Sequence, residues 1–192
     1  GGKKRELYGV KKLRELILES AVRGLIVPQN PGDEFASVLV QRMGREKEDL
    51  IKNGAIRKKK ALPKIKETQI PFKIASTWEW IYLQDVGHDW GQKNPDKDFT
   101  YIDVGSIDQT HGLVRNPSIV SSSDAPSRAR KVVKKDTVIY STVRPYLLNI
   151  AIIDEIIAPE PIASTAFAVI HPYAGIPSSF VYRYLRSSTF IT

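Results

Sequence analysis

Apolar residues recur every three or four positions through the first quarter of the chain. Leu7, Val10, Leu13, Ile17, Ala21 and Leu25 fall on one stripe of a helix predicted over residues 4–26. Gly24 and Pro28 end it, because glycine reaches the left-handed closing conformation and proline cannot continue a helix. A second helix is predicted over 33–53. Asp33 follows Pro31-Gly32 as its N-cap, Phe35, Val38, Leu39, Met43 and Leu50 form its stripe, and Asn53-Gly54 closes it. Two such helices bury little by themselves. Their stripes fit either a hairpin packed on itself or on its own domain, or a seam offered to another chain.

The period then changes. Residues 57–73 (RKKKALPKIKETQIPFK) combine many lysines with Pro63 and Pro71, which lack the amide donor that a helix or central strand needs. They read as an extended connector, whose cations are either simply solvated or set against phosphates. From Trp78 onward, short β-rich runs predict strands at 78–83, 99–104, 137–141, 149–153 and 163–170. Breakers such as Gly87, Gly91, Asn94-Pro95, Gly112, Asn116-Pro117 and Pro126 separate them. Pro177 and the serines after it start a short helix through Phe180, Tyr184 and Leu185. The predicted class is α+β. A helical hairpin or spacer occupies 1–56, a basic extended linker 57–75, and a β-rich α+β domain 76–192, ending in no obvious finished element.

Composition narrows the class. The chain has 192 residues, 42% hydrophobic and 26% charged, which describes a folded soluble protein and not a disordered one. No apolar run is long enough to span a bilayer, and the N-terminus lacks the apolar core of a signal peptide. There are no cysteines, so disulfides and thiolate metal sites are excluded and the cytoplasm is the expected compartment. His88, His111 and His171 are too far apart in sequence to show metal-ligand spacing.

The formal charge of +8 is unevenly placed. Residues 1–75 hold eighteen Lys and Arg against nine acids, whereas 76–192 hold eleven against twelve. Within that neutral second part, SRARKVVKKDTVIYSTVRPYL (127–147) carries Arg128, Arg130, Lys131, Lys134, Lys135 and Arg144 against Asp136 alone. A local patch on a neutral body suits a directed contact better than general polyanion binding. Arginine supplies a planar fork for phosphate or for the guanine edge, and lysine a point charge for phosphate. Ser127, Ser141 and Thr142 add hydroxyls, and Tyr146 a ring able to pack on sugar or base. The other reading pairs Arg128 and Arg144 with internal carboxylates such as Asp136. Spacing leaves both open.

Catalytic signatures are missing. There is no G-x-x-x-x-G-K-[ST] phosphate loop, no dinucleotide-type glycine motif, and no Asn-Pro-Pro-aromatic motif, since Asn94-Pro95 is followed by Asp96-Lys97. Asp96, Asp98, Asp103 and Asp108 lie in a turn-rich stretch without a spaced Glu-x-Lys partner, and read as surface-loop acids. The chain is expected to be no enzyme and to need no cofactor.

The segments LRELILESAVRGLIVPQNPGDEFASVLVQRMGREKEDLIKNG (13–54) and IPFKIASTWEWIYLQDVG (70–87) resemble the helical region leading into a target recognition domain. The resemblance is to the specificity subunit of type I restriction–modification enzymes. It continues through YIDVGSI (101–107), residues 127–153, STAFAVI (164–170) and FVYRYLRSS (180–188). It implies sequence-specific recognition of double-stranded DNA without an active site. Methylation of adenine would fall to partner modification subunits using S-adenosylmethionine, and cleavage to an ATP-dependent restriction subunit. It implies DNA contact by Arg128, Arg130, Lys131, Lys134, Arg144 and Tyr146, to which the hydroxyls of Ser127 and Ser141 add candidates from the residues themselves, with loops 87–99 and 108–126 as base readers. It also favours docking of the modification subunit on the helical stripes, at Leu13, Ile17, Phe35, Leu39 and Met43. The usual subunit has two recognition domains, so this chain is expected to be a fragment or a half-length form that pairs as a homodimer. The alternatives are a stand-alone nucleic-acid binder and a protein-interaction scaffold.

Overall fold

The computed structural model describes residues 8–191, so Leu7 and the predicted helix start at residue 4 lie outside the described residues. α1 (Tyr8–Val22) and α2 (Ala36–Lys52) close in the same way. Gly24 (φ 71°) and Gly54 (φ 70°) are left-handed, and the amides of Leu25 and Ala55 reach back to the carbonyls of Ser20 and Leu50, both at 2.9 Å. That pairing satisfies carbonyls that would otherwise be orphaned at the helix end. The start of α2 differs from expectation. Asp33 accepts from Asn30 Nδ2 at 3.0 Å instead of capping, and Phe35 holds the N-cap position. The Ala36 amide is satisfied by the Thr77 carbonyl at 2.8 Å, so a tertiary partner does part of the work of a local cap.

Residues 78–82 form no strand. They run irregularly into α3 (Leu83–Val86), with the Trp80 ring edge-on to Phe72 at 5.0 Å and Trp78 Nε1 donating to Gln29 at 2.7 Å. Their aromatic pattern reflects packing against the connector and helices, not a sheet face.

Ten short strands follow: β1 (Gly87–His88), β2 (Phe99–Ile102), β3 (Ile107–Asp108), β4 (Leu113–Val114), β5 (Ser118–Val120), β6 (Ala129–Val132), β7 (Val138–Ser141), β8 (Ile150–Ile152), β9 (Pro161–Ser164) and β10 (Phe167–Pro172). They make a six-stranded sheet in the order β1-β10-β7-β8-β4-β3 and a four-stranded sheet in the order β5-β2-β9-β6. The run predicted as one strand at 163–170 is two. It turns at Thr165-Ala166, so that β9 runs parallel to β2 in one sheet and β10 antiparallel to β7 in the other. Ile102, Val133, Ile139, Ala151, Ile153, Ala163 and Phe167 fill the space where the sheets meet. Burial of such side chains is the main stabilising term. β6 escaped sequence reading because its charged side chains mask the alternation of a sheet-edge strand.

α4 (Ser178–Leu185) lays Val181 and Leu185 on Val138, Ile150 and Ile170 of the six-stranded sheet, and α5 (Ser188–Ile191) follows. The first two helices dock separately on this body. α1 packs on α4 and α5, and Glu19 accepts hydrogen bonds from the Ser188 hydroxyl (2.6 Å), the Thr189 hydroxyl and Arg23 Nε (3.0 Å). On α2, Met43 is buried, Glu46 accepts from the Ala174 amide at 2.8 Å, and Lys47 pairs with Asp85 at 2.7 Å. Among the described residues, no helix is long and apolar enough to cross a membrane.

Candidate nucleic-acid interface

The two-residue corner between β9 and β10 organises one end of the domain. The Thr165 amide donates to the Arg128 carbonyl at 2.8 Å, and both the amide and hydroxyl of Thr142 donate to the Ala166 carbonyl, at 2.9 and 3.0 Å. Ser127-Arg128, ahead of β6, is thereby tied to the loop after β7. That loop holds Arg144 (φ 51°) and Leu148 (φ 54°) in left-handed conformations, with a 3-10 turn over Pro145–Leu147 between them. Such positions cost roughly 1–3 kcal/mol each in non-glycine residues; Leu148 is held by packing on the cluster around Val138, Ile150 and Val181. The Ser141 amide bonds the Asn149 carbonyl at 2.9 Å, and Asn149 Oδ1 accepts from Gln109 at 2.5 Å. The start of loop 108–126 therefore reaches the same end.

Arg128 and Arg144 are exposed there, and neither guanidinium has a carboxylate within ion-pair distance among the described residues. The internal pairing with Asp136 does not form, because Asp136 lies before β7 and Arg144 after it, at opposite ends of the strand. Tyr146 is 67% exposed. Ser141 is different: it is buried, and its hydroxyl donates to the Val143 carbonyl and accepts from the Val143 amide, so it shapes the loop from inside. Arg130 turns back on the chain, its Nη1 donating to the Ala129 carbonyl at 2.6 Å.

Lys131 and Lys134 lie toward the other end of β6, which runs antiparallel to β9. The Lys134 ammonium sits 3.7 Å over the Trp90 ring, and Trp90 is edge-on to His88 at 4.4 Å. Loop 87–99 pads this edge, with the amides of Lys93 and Val132 donating to the Arg130 and Gly91 carbonyls. His88 and His171, far apart in sequence, face each other across β1 and β10 with rings 5.3 Å apart. Burial lowers the pKa of both below the usual histidine value, and for His171 the neighbouring His88 adds to it. Among the described residues, no three His, Cys, Asp or Glu side chains come together as a metal site.

The loop acids have local work. Asp103 caps a 3-10 turn by accepting from the Ser106 amide, Asp96 pairs with Lys93, and Asp108 takes His111 Nδ1 at 2.6 Å. The hydrogen bond from His111 leads the effects that hold the Asp108 carboxyl below its ordinary pKa.

Of the expected docking residues, Leu13, Ile17 and Phe35 are 57%, 50% and 54% exposed, and Leu39 is half-buried against Gly175. Met43, at 2% exposed, is consumed by packing within the chain and is not on that surface. The pattern passed over Leu16 and Val27, which extend the exposed apolar surface.

No family model matches the chain. The specificity subunit of the type I restriction enzyme EcoAI from Escherichia coli is 45% identical over 119 residues, covering 62% of this chain and 19% of the relative. That of EcoEI, also from Escherichia coli, is 54% identical over 81 residues, 42% of this chain and 14% of the relative. Among solved structures, the HsdS subunit from Thermoanaerobacter tengcongensis matches with a TM-score of 0.55 at 35% identity, over 61% of this chain and 31% of that one. A chain solved for complex assembly and conformational transition of the type I R-M system matches at 0.54 and 34% identity, with the same coverage. The chain thus spans a fifth or less of the curated relatives' length. These similar proteins are type I specificity subunits, and the likeness covers a domain-sized part of the chain.

Proposed function

We propose that this chain reads a defined sequence in double-stranded DNA as a recognition domain of a type I specificity subunit. It is itself non-catalytic, and directs adenine methylation and restriction carried out by partner subunits in the cytoplasm. The observation that carries the reading is that the segments of Arg128 and Arg144, both without acidic partners among the described residues, are tied to the Thr165-Ala166 corner beside the exposed Tyr146. An exposed guanidinium without an acidic partner can take a phosphate or a guanine edge. One bidentate arginine–guanine contact gives about 1–3 kcal/mol of discrimination, so a single domain reads only a short half-site. Pairing with a second recognition domain, in the same subunit or in a second copy, would supply the other half. The exposed stripe at Leu13, Ile17 and Phe35 suits docking of the modification subunit.

The test is methylome sequencing of cells that express the complete subunit with its modification partner. The intact subunit is expected to give a bipartite methyladenine motif, and Arg128→Ala with Arg144→Ala to relax or abolish one half of it. An unchanged motif in the variants would reassign base reading to the loops. A formed complex that yields no motif would overturn the function.

A further inference from the structure

The lysine-rich connector is docked, not loose. Lys59 pairs with Asp89 at 2.9 Å, and Gln84 reaches the Lys60 carbonyl. Residues 54–59 thereby form one wall of an open groove of about 770 Å³, whose other side is built by residues 87–92, Lys131 and Tyr173. Five cations, Lys47, Arg57, Lys58, Lys59 and Lys131, line it against one carboxylate, Asp89. Lys47 is already neutralised by Asp85 and Lys59 by Asp89. Arg57, Lys58 and Lys131 have no carboxylate within ion-pair distance among the described residues, and Lys134 stands beside them over Trp90.

Holding several uncompensated cations around one groove costs repulsion that a polyanion removes. The uncompensated cations come from two separate segments on opposite sides of an open groove, the connector and β6, which suits an extended polyanion. Lys134 is six residues from Arg128 along an extended segment, at most about 20 Å, or roughly six base pairs of duplex. We infer that this groove holds the phosphodiester backbone of the bound duplex on the flank of the half-site met by Arg128 and Arg144. The inference rests on the DNA-reading function proposed above. It gives the connector a part in binding that its composition alone does not.

The experiment compares the complete subunit–modification complex with its Arg57→Gln, Lys58→Gln variant, on a duplex carrying the methylated motif and on one trimmed on the flank. Binding is titrated from 50 to 200 mM salt. Two lost phosphate contacts should make the slope of log K against log salt shallower by about 2, so the variant loses about tenfold less affinity over that range. Sequence preference should be retained, and trimming the flank should flatten the wild-type slope by about 2 more than the variant's, which keeps Lys131 and Lys134. An unchanged slope with preference intact would overturn the groove alone, as would a slope insensitive to trimming. A wild-type complex without sequence preference would overturn the DNA reading and the groove with it.

Discussion

Glu19 fastens α1 to α5 at the end of the β-rich body, and its replacement by glutamine tests whether that junction is held by charge. Burial pushes its carboxyl up, but hydrogen bonds from Ser188, Thr189 and Arg23 outweigh this and hold it at about 2, against an ordinary 4.5. A shift of that size corresponds to at most about 3 kcal/mol at neutral pH, at 1.36 kcal/mol per unit. The side chain is 17% exposed and its Arg23 partner 43%, so solvent screening brings the expected value to about 1–2 kcal/mol. The sign follows from linkage. A carboxylate with a depressed folded pKa stabilises fully above its unfolded value, and the contribution disappears as pH falls from about 4.5 toward 2. Glu19→Gln should therefore lower the urea midpoint at pH 7, with the gap to wild type narrowing below about pH 5. Hydrogen exchange of the last two turns of α1 should accelerate alongside it. Equal stability at pH 7, or a gap that persists undiminished at pH 3, would refute the argument.

Two further outcomes concern packing. Burial is the chief cause that lowers the pKa of His88 and His171, so near and below the unfolded histidine value of about 6.5 the unfolded chain binds more protons than the folded one. Stability should be fully present above that value and fall as pH drops below it, and His88→Phe should flatten that part of a pH series of thermal unfolding. Met43→Ala should destabilise by about 2–3 kcal/mol through a cavity under α2, whereas the exposed Leu13→Ala should change stability by less than about 0.5 kcal/mol. Chemical denaturation separates the two, and equal effects would mean that α2 is not docked as described.

What the sequence determined by itself is what depends on neighbours in the chain. The helical stripes, the left-handed closures at Gly24 and Gly54, the strands at 138–141 and 150–152 and the helix at 178–185 all follow from spacing and turn chemistry within a few residues. The cationic segment was legible too, because charge is visible without a fold. Its division was not. Antiparallel pairing of β6 with β9, and of β7 with β10, sends Arg128 and Arg144 to one end and Lys134 to the other, although all three lie within seventeen residues. The same long-range pairing sets His88 against His171, splits 163–170 between two sheets and hides Met43, while residues 78–82 look like a strand but find no partner. A strand is completed by hydrogen bonds to a segment that can lie anywhere in the chain, whereas a helix closes its bonds four residues away. Helices were therefore readable in place, and the assembly of the end that carries Arg128 and Arg144 was decided only by the tertiary structure.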